Sequence, residues 1–441
     1  HRARPGRAPA AAVGVARAMP PGRLQPQARA IIPRMVKPER RTTGDLIAAG
    51  AIAVVVAVVA GLLWWNSSAR ATLSKPATVP PHNPVPAYAV PGALHSLWTA
   101  NSPHTLSPII IGDMVLSGDG HVVEARDAPT GQNRWTYARK DDLCGVSYVY
   151  GLAVAVYPDD RGCGQVTAID AGTGRRNTAR TSYSDKQITL RSDGNVVLSA
   201  GPTRLELWRS DLVRMISYGE IDARVKPANQ GLGTGCTLMS AAASSSQVSV
   251  LEACRDQRDL RLTLLEPAKE EDEPDTKNVP LAGVSVDSEA RVLAVSDSTT
   301  AVYLPTPKPE VVVYDETGTQ VSATPLSKPP VLANPARAVT RAGDLFTWWT
   351  GDSVEVLDSR LRHRFTIAAA GILTPLGPAT MMAGKLLVPV AGGIGVFSPT
   401  TGEHERVIPI DHPVGPGPVV PGVSGSVVIE QRGDQLAAFG P

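Results

Sequence analysis

Outside residues 46–65 the chain carries no long apolar stripe of helical period, which leaves no basis for a helical bundle. A net charge of only +2 gives no reason to expect a nucleic-acid partner. CxxC and HxxxH spacings are missing, and the histidines at 82, 95, 104, 121, 363, 404 and 412 share no metal-ligand spacing. No GxSxG nucleophile elbow occurs either. Cysteine is scarce, with four in 441 residues and none near the apolar run, so a lipoprotein anchor is excluded.

What the chain does have is turns. Gly (40) and Pro (39) make up about 18% of it, a composition that suits a turn-dense all-β protein. A unit of strand, Asp/Gly turn and strand recurs along most of the length. Its clearest copies are Val123–Tyr137, Val166–Arg180, Val311–Ala323 and Ile394–Ile408. Weaker copies occupy Leu205–Ser217, Leu260–Glu273 and Val354–Ile367, and a partial one, QLAAFGP, ends the sequence. Starts fall roughly 40 to 55 residues apart, the period of a propeller blade. In D-A-x-T-G the Asp side chain can accept from backbone N–H groups further on, while Gly supplies the positive φ that closes the turn.

The expected fold class is therefore an all-β propeller of eight blades, behind one N-terminal transmembrane helix. Seven blades is the alternative, because the acidic insert Lys269–Lys277 blurs the count. The last copy lacks its outermost strand, and Leu94–Thr99 stands alone before the first full copy with a Trp placed as in NRWTY. Pairing Leu94–Thr99 with the C-terminal strand would close the ring and remove the open edges.

Four segments follow. Residues 1–45 read as a disordered basic cytoplasmic tail, with ten Lys or Arg and Glu39 the single acid up to residue 44; Met35 looks like the natural start. Residues 46–65, LIAAGAIAVVVAVVAGLLWW, are uncharged and span about 30 Å as a helix, the thickness of a hydrocarbon core. Trp64 and Trp65 suit an interfacial belt, and the basic flank puts the N-terminus inside and residues 94–441 outside. A cleaved signal peptide is the rival reading, since Ala69-Arg70-Ala71 has A-x-A spacing; the length of the run and its two tryptophans favour a retained anchor. Residues 66–93, with six prolines, read as an extended linker.

Cys144 and Cys163 bracket two short strands, as do Cys236 and Cys254. Neighbouring antiparallel strands bring such ends together, so two local disulfides are expected on the oxidising side of the membrane, a zinc site being the alternative. Other candidates read as structural. GLGTG (Gly231–Gly235) lacks the Lys of a phosphate loop, and GGIG (Gly392–Gly395) is a turn. Asp159-Asp160-Arg161 is a solvated turn, and Trp348-Trp349 should pack into the core from opposite faces of a strand.

The D-A-x-T-G-x-x-x-W pattern of Asp127–Trp135, with part of it at Asp170–Gly174, resembles the quinoprotein (PQQ)-like propeller repeat. More narrowly, MVKPERR, the Val/Ala-rich anchor and Trp135–Val166 resemble the actinobacterial (mycobacterial) polar growth factor A family, membrane-anchored periplasmic propellers. That resemblance covers Met35 to the C-terminus. It implies a non-enzymatic envelope-assembly factor at the inner membrane, working with the RND-type exporter of trehalose monomycolate and in contact with that or another glycolipid. No catalytic, cofactor-binding or metal residue is expected, and no ligand-binding residue can be named. The alternatives are a PQQ-type quinoprotein oxidoreductase and a general protein-assembly scaffold.

Overall fold

The Asp127 carboxylate accepts from the Thr130 N–H at 3.1 Å and from its hydroxyl at 2.6 Å, and Gly131 adopts φ of 69°. Asp170, Thr173 and Gly174 repeat the arrangement at 2.8 Å, 2.7 Å and φ of 72°. Each turn carries the chain from the third strand of an antiparallel sheet to its outer strand. The computed structural model describes residues 42–221, 231–255, 257–331, 333–412 and 417–441. Among these residues eight such sheets follow one another as the blades of a propeller.

Blade 1 starts at Ile109–Ile111, blade 2 at Gly145–Val149, blade 3 at Thr189–Ser192 and blade 4 at Cys236–Ala243. Blades 5 to 8 start at Arg291–Ser296, Val339–Ala342, Thr380–Met382 and Val419–Ser424. These first strands adjoin those of neighbouring blades and surround the channel, whereas outer strands such as Gln320–Pro325 alternate between half-buried and exposed. The ring closes as expected. His95–Asn101 pairs antiparallel with Gln435–Gly440, placing Ser96 opposite Phe439 and Thr99 opposite Ala437. The acidic insert joins the third and outer strands of blade 4 and does not cost a blade.

A recurrent contact locks four of the blades to the next. Trp98, on the outer strand of blade 8, lies over Gly131 of blade 1 and donates its Nε1–H to the Ala128 carbonyl at 2.8 Å. Trp135, on the outer strand of blade 1, lies over Gly174 of blade 2 and donates to the Ala171 carbonyl at 2.7 Å. A Cβ on either glycine would stand 2.5 Å from the indole. Phe365 over Gly402 and Val279 over Gly318 repeat the device without the hydrogen bond. Between blades 3 and 4 the contact is ionic: Arg214 of the outer strand pairs with Glu271 of the acidic insert. The eight hydrophobic clusters straddle these seams, as where Trp135 and Tyr157 join blades 1 and 2.

The proline-rich stretch is extended, but it is strapped to the propeller. Leu73–Lys75 adds a fifth strand to blade 1, pairing Leu73 with Ala138. Ala77 then donates to the Thr173 carbonyl at 2.9 Å, and the His82 N–H to Asp113 Oδ2 at 3.0 Å. Arg406 of blade 7 binds the carbonyls of Val90 and Pro91 at 2.8 and 3.0 Å. The helix Thr43–Trp65 is apolar and long enough to cross a membrane. The expected basic tail falls within residues 1–41, outside the described residues, apart from its last four positions.

Both disulfides join the expected partners, Cys144 to Cys163 in blade 2 and Cys236 to Cys254 in blade 4.

Inside blade 3, Glu206 is buried with Arg204 at 2.6 Å and Arg214 at 2.9 Å, and Trp208 Nε1 donates to it at 2.8 Å. Burial pushes its carboxyl up, yet Arg204, Arg214 and Arg180 together hold it below the ordinary value. A carboxyl lowered on folding stabilises the fold above its unfolded pKa, and the contribution is lost as pH falls through the folded value. Removing one member of a buried pair costs about 3 kcal/mol or more. Glu206→Gln should therefore unfold by about that much more easily at pH 7 and flatten the acid limb of a stability–pH profile measured in urea. A second expectation concerns the seam. Gly174→Ala meets both left-handed backbone strain and the Trp135 indole, together about 3 kcal/mol. Gly433→Ala, at φ of 57° with nothing within 4 Å of its Cβ, should cost only about 1 kcal/mol. Equal losses in chemical denaturation would remove the seam contact from the account.

Candidate functional site

Every inner strand enters the channel at one end and turns into its second strand at the other. A cavity of about 630 Å3 opens at the entry end beside blades 3, 4 and 5. Its walls include Ile188, Leu238, Met239, Val292 and Leu293, and its rim includes Gln187, Pro202, Ser288 and Pro335. A cavity of about 470 Å3 lies at the opposite end, where Asn195, Ser245 and Asp297 stand in the first turns of blades 3, 4 and 5. A third, of about 500 Å3, runs beside blades 8, 1 and 2 and is lined by Pro108, Tyr148, Asp193 and Gly422.

One charged side chain borders all three cavities, beside the apolar Val339. Arg191, third residue of the inner strand of blade 3, stands where they meet. Five arginines line the combined channel: Arg191, Arg291, Arg337, Arg341 and Arg360, against the carboxylates of Asp193 and Asp297. Asp193 is turned to its own loop, where its Oδ1 accepts the N–H groups of Asn195 and Val196 at 2.8 and 3.0 Å. The channel is therefore electropositive, although the whole chain is close to neutral.

The arginines differ in what holds them. Arg337 belongs to a short 3-10 turn, Pro335–Arg337, in the connection between blades 5 and 6. Its guanidinium reaches across to donate to the carbonyls of Gly433 in blade 8 and Thr105 before blade 1, the latter at 3.1 Å. Gln431 completes that junction, accepting from Thr105 Oγ1 at 2.8 Å and donating to the Gly433 and Ser102 carbonyls. Arg337 is thus a strut. Burial pushes its pKa down, and Asp434 offsets part of this.

Arg341 donates Nε–H to the Gly343 carbonyl at 3.1 Å and stacks over Phe346. Arg291 donates to the Glu289 carbonyl at 3.2 Å, and burial lowers its pKa against the pull of Glu289. Arg191 is unlike these. Among the described residues no carboxylate or other acceptor bonds its guanidinium, and the charge acting on it is that of Arg291. Burial first, and Arg291 second, push it down to about 10. It stays charged at neutral pH with its donors directed at space.

The residues weighed from the sequence lie away from this channel. Trp348 packs against Tyr303 with ring centres 5.5 Å apart between blades 5 and 6. Trp349 faces the other way into the blade 6–7 cluster and donates to the Pro375 carbonyl at 2.9 Å. Gly231–Gly235 is a turn leading to blade 4, and Gly392–Gly395 starts a strand of blade 7. Asp159 accepts from the Arg161 N–H at 2.8 Å in a turn beside the first disulfide. Cys236, Cys254 and Glu252 cluster within 4.8 Å, a spacing a metal could use. Both sulfurs are bonded to each other, however, and Glu252 is taken up by Tyr218, Arg261 and Thr263. Two histidines have acid partners instead of metal-ligand sets: His412 meets Glu430, and His363 meets Glu355, each at 3.0 Å. Sequence reasoning missed the channel arginines. The available signal was an arginine on the short inner strand of a blade, and that position is recognisable only once strand order is known.

No family model matches the chain, and no curated protein matches it in sequence. Solved structures do align with it. BamB from Moraxella catarrhalis is 15% identical, with 79% of this chain and 100% of that one covered, at a TM-score of 0.48. Sqt1 from Saccharomyces cerevisiae is 10% identical over 82% of this chain and 99% of its own, at 0.47. The dihydro-heme d1 dehydrogenase NirN is 17% identical over 80% and 76%, at 0.45. Likenesses this distant say nothing about activity, and the propeller stands on its own strand pairing.

Because Arg337 satisfies two backbone carbonyls at the closure junction, Arg337→Ala should lower stability by about 2 kcal/mol in chemical denaturation. Arg337→Lys, which keeps the charge but loses the forked geometry, should recover less than half of that.

Proposed function

We propose that this protein is a single-pass inner-membrane factor of the cell envelope, with its N-terminus cytoplasmic and its propeller periplasmic, acting as a non-enzymatic scaffold. One observation carries the reading: an apolar helix of membrane-spanning length precedes a ring-closed propeller held by two disulfides. Disulfides persist on the oxidising side of a membrane, and the arginine-rich segment before the helix favours the cytoplasmic side. A closed ring with two loop-built faces is suited to holding partners in fixed relation.

The finer reading rests on resemblance to the polar growth factor A family. In it the scaffold serves the export of trehalose monomycolate, docking the RND-type exporter and contacting that glycolipid or a related one. The apolar wall of the entry-end cavity supports contact with an acyl chain, whose exposure to water costs about 0.8 kcal/mol per methylene. The coarser reading, a general protein-assembly scaffold, needs only the frame and its faces.

The test is crosslinking of the full chain in its native membrane, followed by purification and analysis of bound protein and lipid. Enrichment of an RND-type exporter and of trehalose monomycolate over a sham single-pass protein is the expected result. Recovery of other envelope proteins alone would leave the general scaffold and remove the export role. Reduction of a dye by the pure protein with added quinone would overturn the non-enzymatic reading.

A further inference from the structure

We propose that the entry-end cavity is a binding site for an organic oxyanion, its carboxylate or phosphate head held by Arg191 and Arg291 and its apolar body lying against Leu238, Met239 and Val292. This inference does not rest on the envelope reading and survives its failure.

The argument starts from the unmet donors of Arg191. A guanidinium presents five N–H donors in a fixed fork that matches an oxyanion, and it cannot shed its charge at neutral pH. Buried charges in folded proteins are paired, because an uncompensated one costs several kcal/mol. Arg191 is half-buried at the cavity wall, yet among the described residues no protein group bonds its guanidinium, and its charged neighbour, Arg291, has the same sign. The contrast lies within the same channel, where Arg337 and Arg341 have carbonyl partners and an aromatic face. A structural arginine would have its guanidinium tied to backbone carbonyls, as Arg337 has.

Arg191 and Arg291 share the walls of the 630 Å3 cavity, so one oxyanion between them would relieve both like-charge repulsion and unmet donors. The same cavity supplies the apolar surface: Met239 is 45% exposed there although it sits on an inner strand, beside the edges of the largely buried Leu238 and Val292. A bare inorganic ion would leave that surface in water. An anion with a short hydrocarbon or aromatic body covers it.

The experiment uses the full chain in phosphatidylcholine nanodiscs and three soluble probes: hexanoate, 1-hexanol and inorganic phosphate. Binding is followed by calorimetry and thermal unfolding in parallel. Hexanoate should bind at least tenfold more tightly than either other probe. Arg191→Leu and Arg291→Leu should each weaken hexanoate tenfold or more, and Arg191→Lys less. Arg191→Leu should also leave the melting temperature unchanged or raised, since it removes a half-buried charge that no protein group pairs. Arg191→Gln serves as the second variant if the leucine fails to fold. Equal binding of phosphate and hexanoate, hexanoate binding unchanged by Arg191→Leu, or no hexanoate binding at millimolar concentration would each overturn the proposal. A marked fall in melting temperature for both Arg191 variants would assign the residue a structural role and overturn it as well.

Discussion

The propeller depends on a bulky side chain of one blade's outer strand seated on the turn of the next blade. At Trp98/Gly131 and Trp135/Gly174 this contact combines an indole, buried at Trp135 and half-buried at Trp98, an N–H bond to a backbone carbonyl, and a left-handed turn residue without a Cβ. An antiparallel sheet is stable in water only when it has a hydrophobic face to bury. Its stability comes from the faces it buries against its neighbours, so the seams hold more of the fold than the sheets. The contact also explains ring closure. Trp98 sits on the strand donated by the N-terminal side of the domain, so completing blade 8 and locking it to blade 1 are one event. Where the aromatic is missing, other chemistry serves: Arg214 with Glu271, or Arg406 with the carbonyls of the strap.

This dependence accounts for what was legible in the sequence. The D-A-x-T-G turn and the tryptophan that follows are two halves of a seam. Each half has a local requirement, an Asx-type turn and a positive φ, that only a few residue types meet. The third and outer strands of most blades could therefore be read directly, and so could the lone strand around Trp98. Cysteine spacing was also legible: Cys236 and Cys254 face each other across the first hairpin of blade 4, and Cys144 and Cys163 bracket the first two strands of blade 2. The inner strands could not be read in this way. They are short and surrounded by protein, and they face a channel whose walls come from blades far apart in the chain. Nothing local distinguishes Arg191, in TLRS, from an arginine exposed at a strand end. Prolines pointed to an extended linker, while the strand pairing of Leu73–Lys75 and the hydrogen bonds of Ala77 and His82 depend on partners distant in sequence.

Electrostatics divides the molecule in a way that composition hides. Within blades 3 and 4 arginines meet buried carboxylates, as Arg204 and Arg214 meet Glu206 and Arg261 meets Glu252, and Arg214 also reaches Glu271 across the seam. Charge there is compensated, and it holds the seam. Along the channel it is not compensated, and arginines outnumber carboxylates on the walls. A frame made rigid at its seams can keep such a channel open without collapse. That is the property a scaffold needs if it is also to hold a small anionic ligand at its centre.

The frame itself can be measured directly. Hydrogen exchange of the full chain, resolved by peptide, compares His95–Asn101 with Gln435–Gly440 and with the inner strands. If the outer strand of blade 8 is integral to the ring, its amides should exchange with those of Gln435–Gly440, at the slow rate of global opening. Exchange of His95–Asn101 at the rate of a frayed terminus, with the rest of blade 8 still protected, would contradict closure as the basis of the fold.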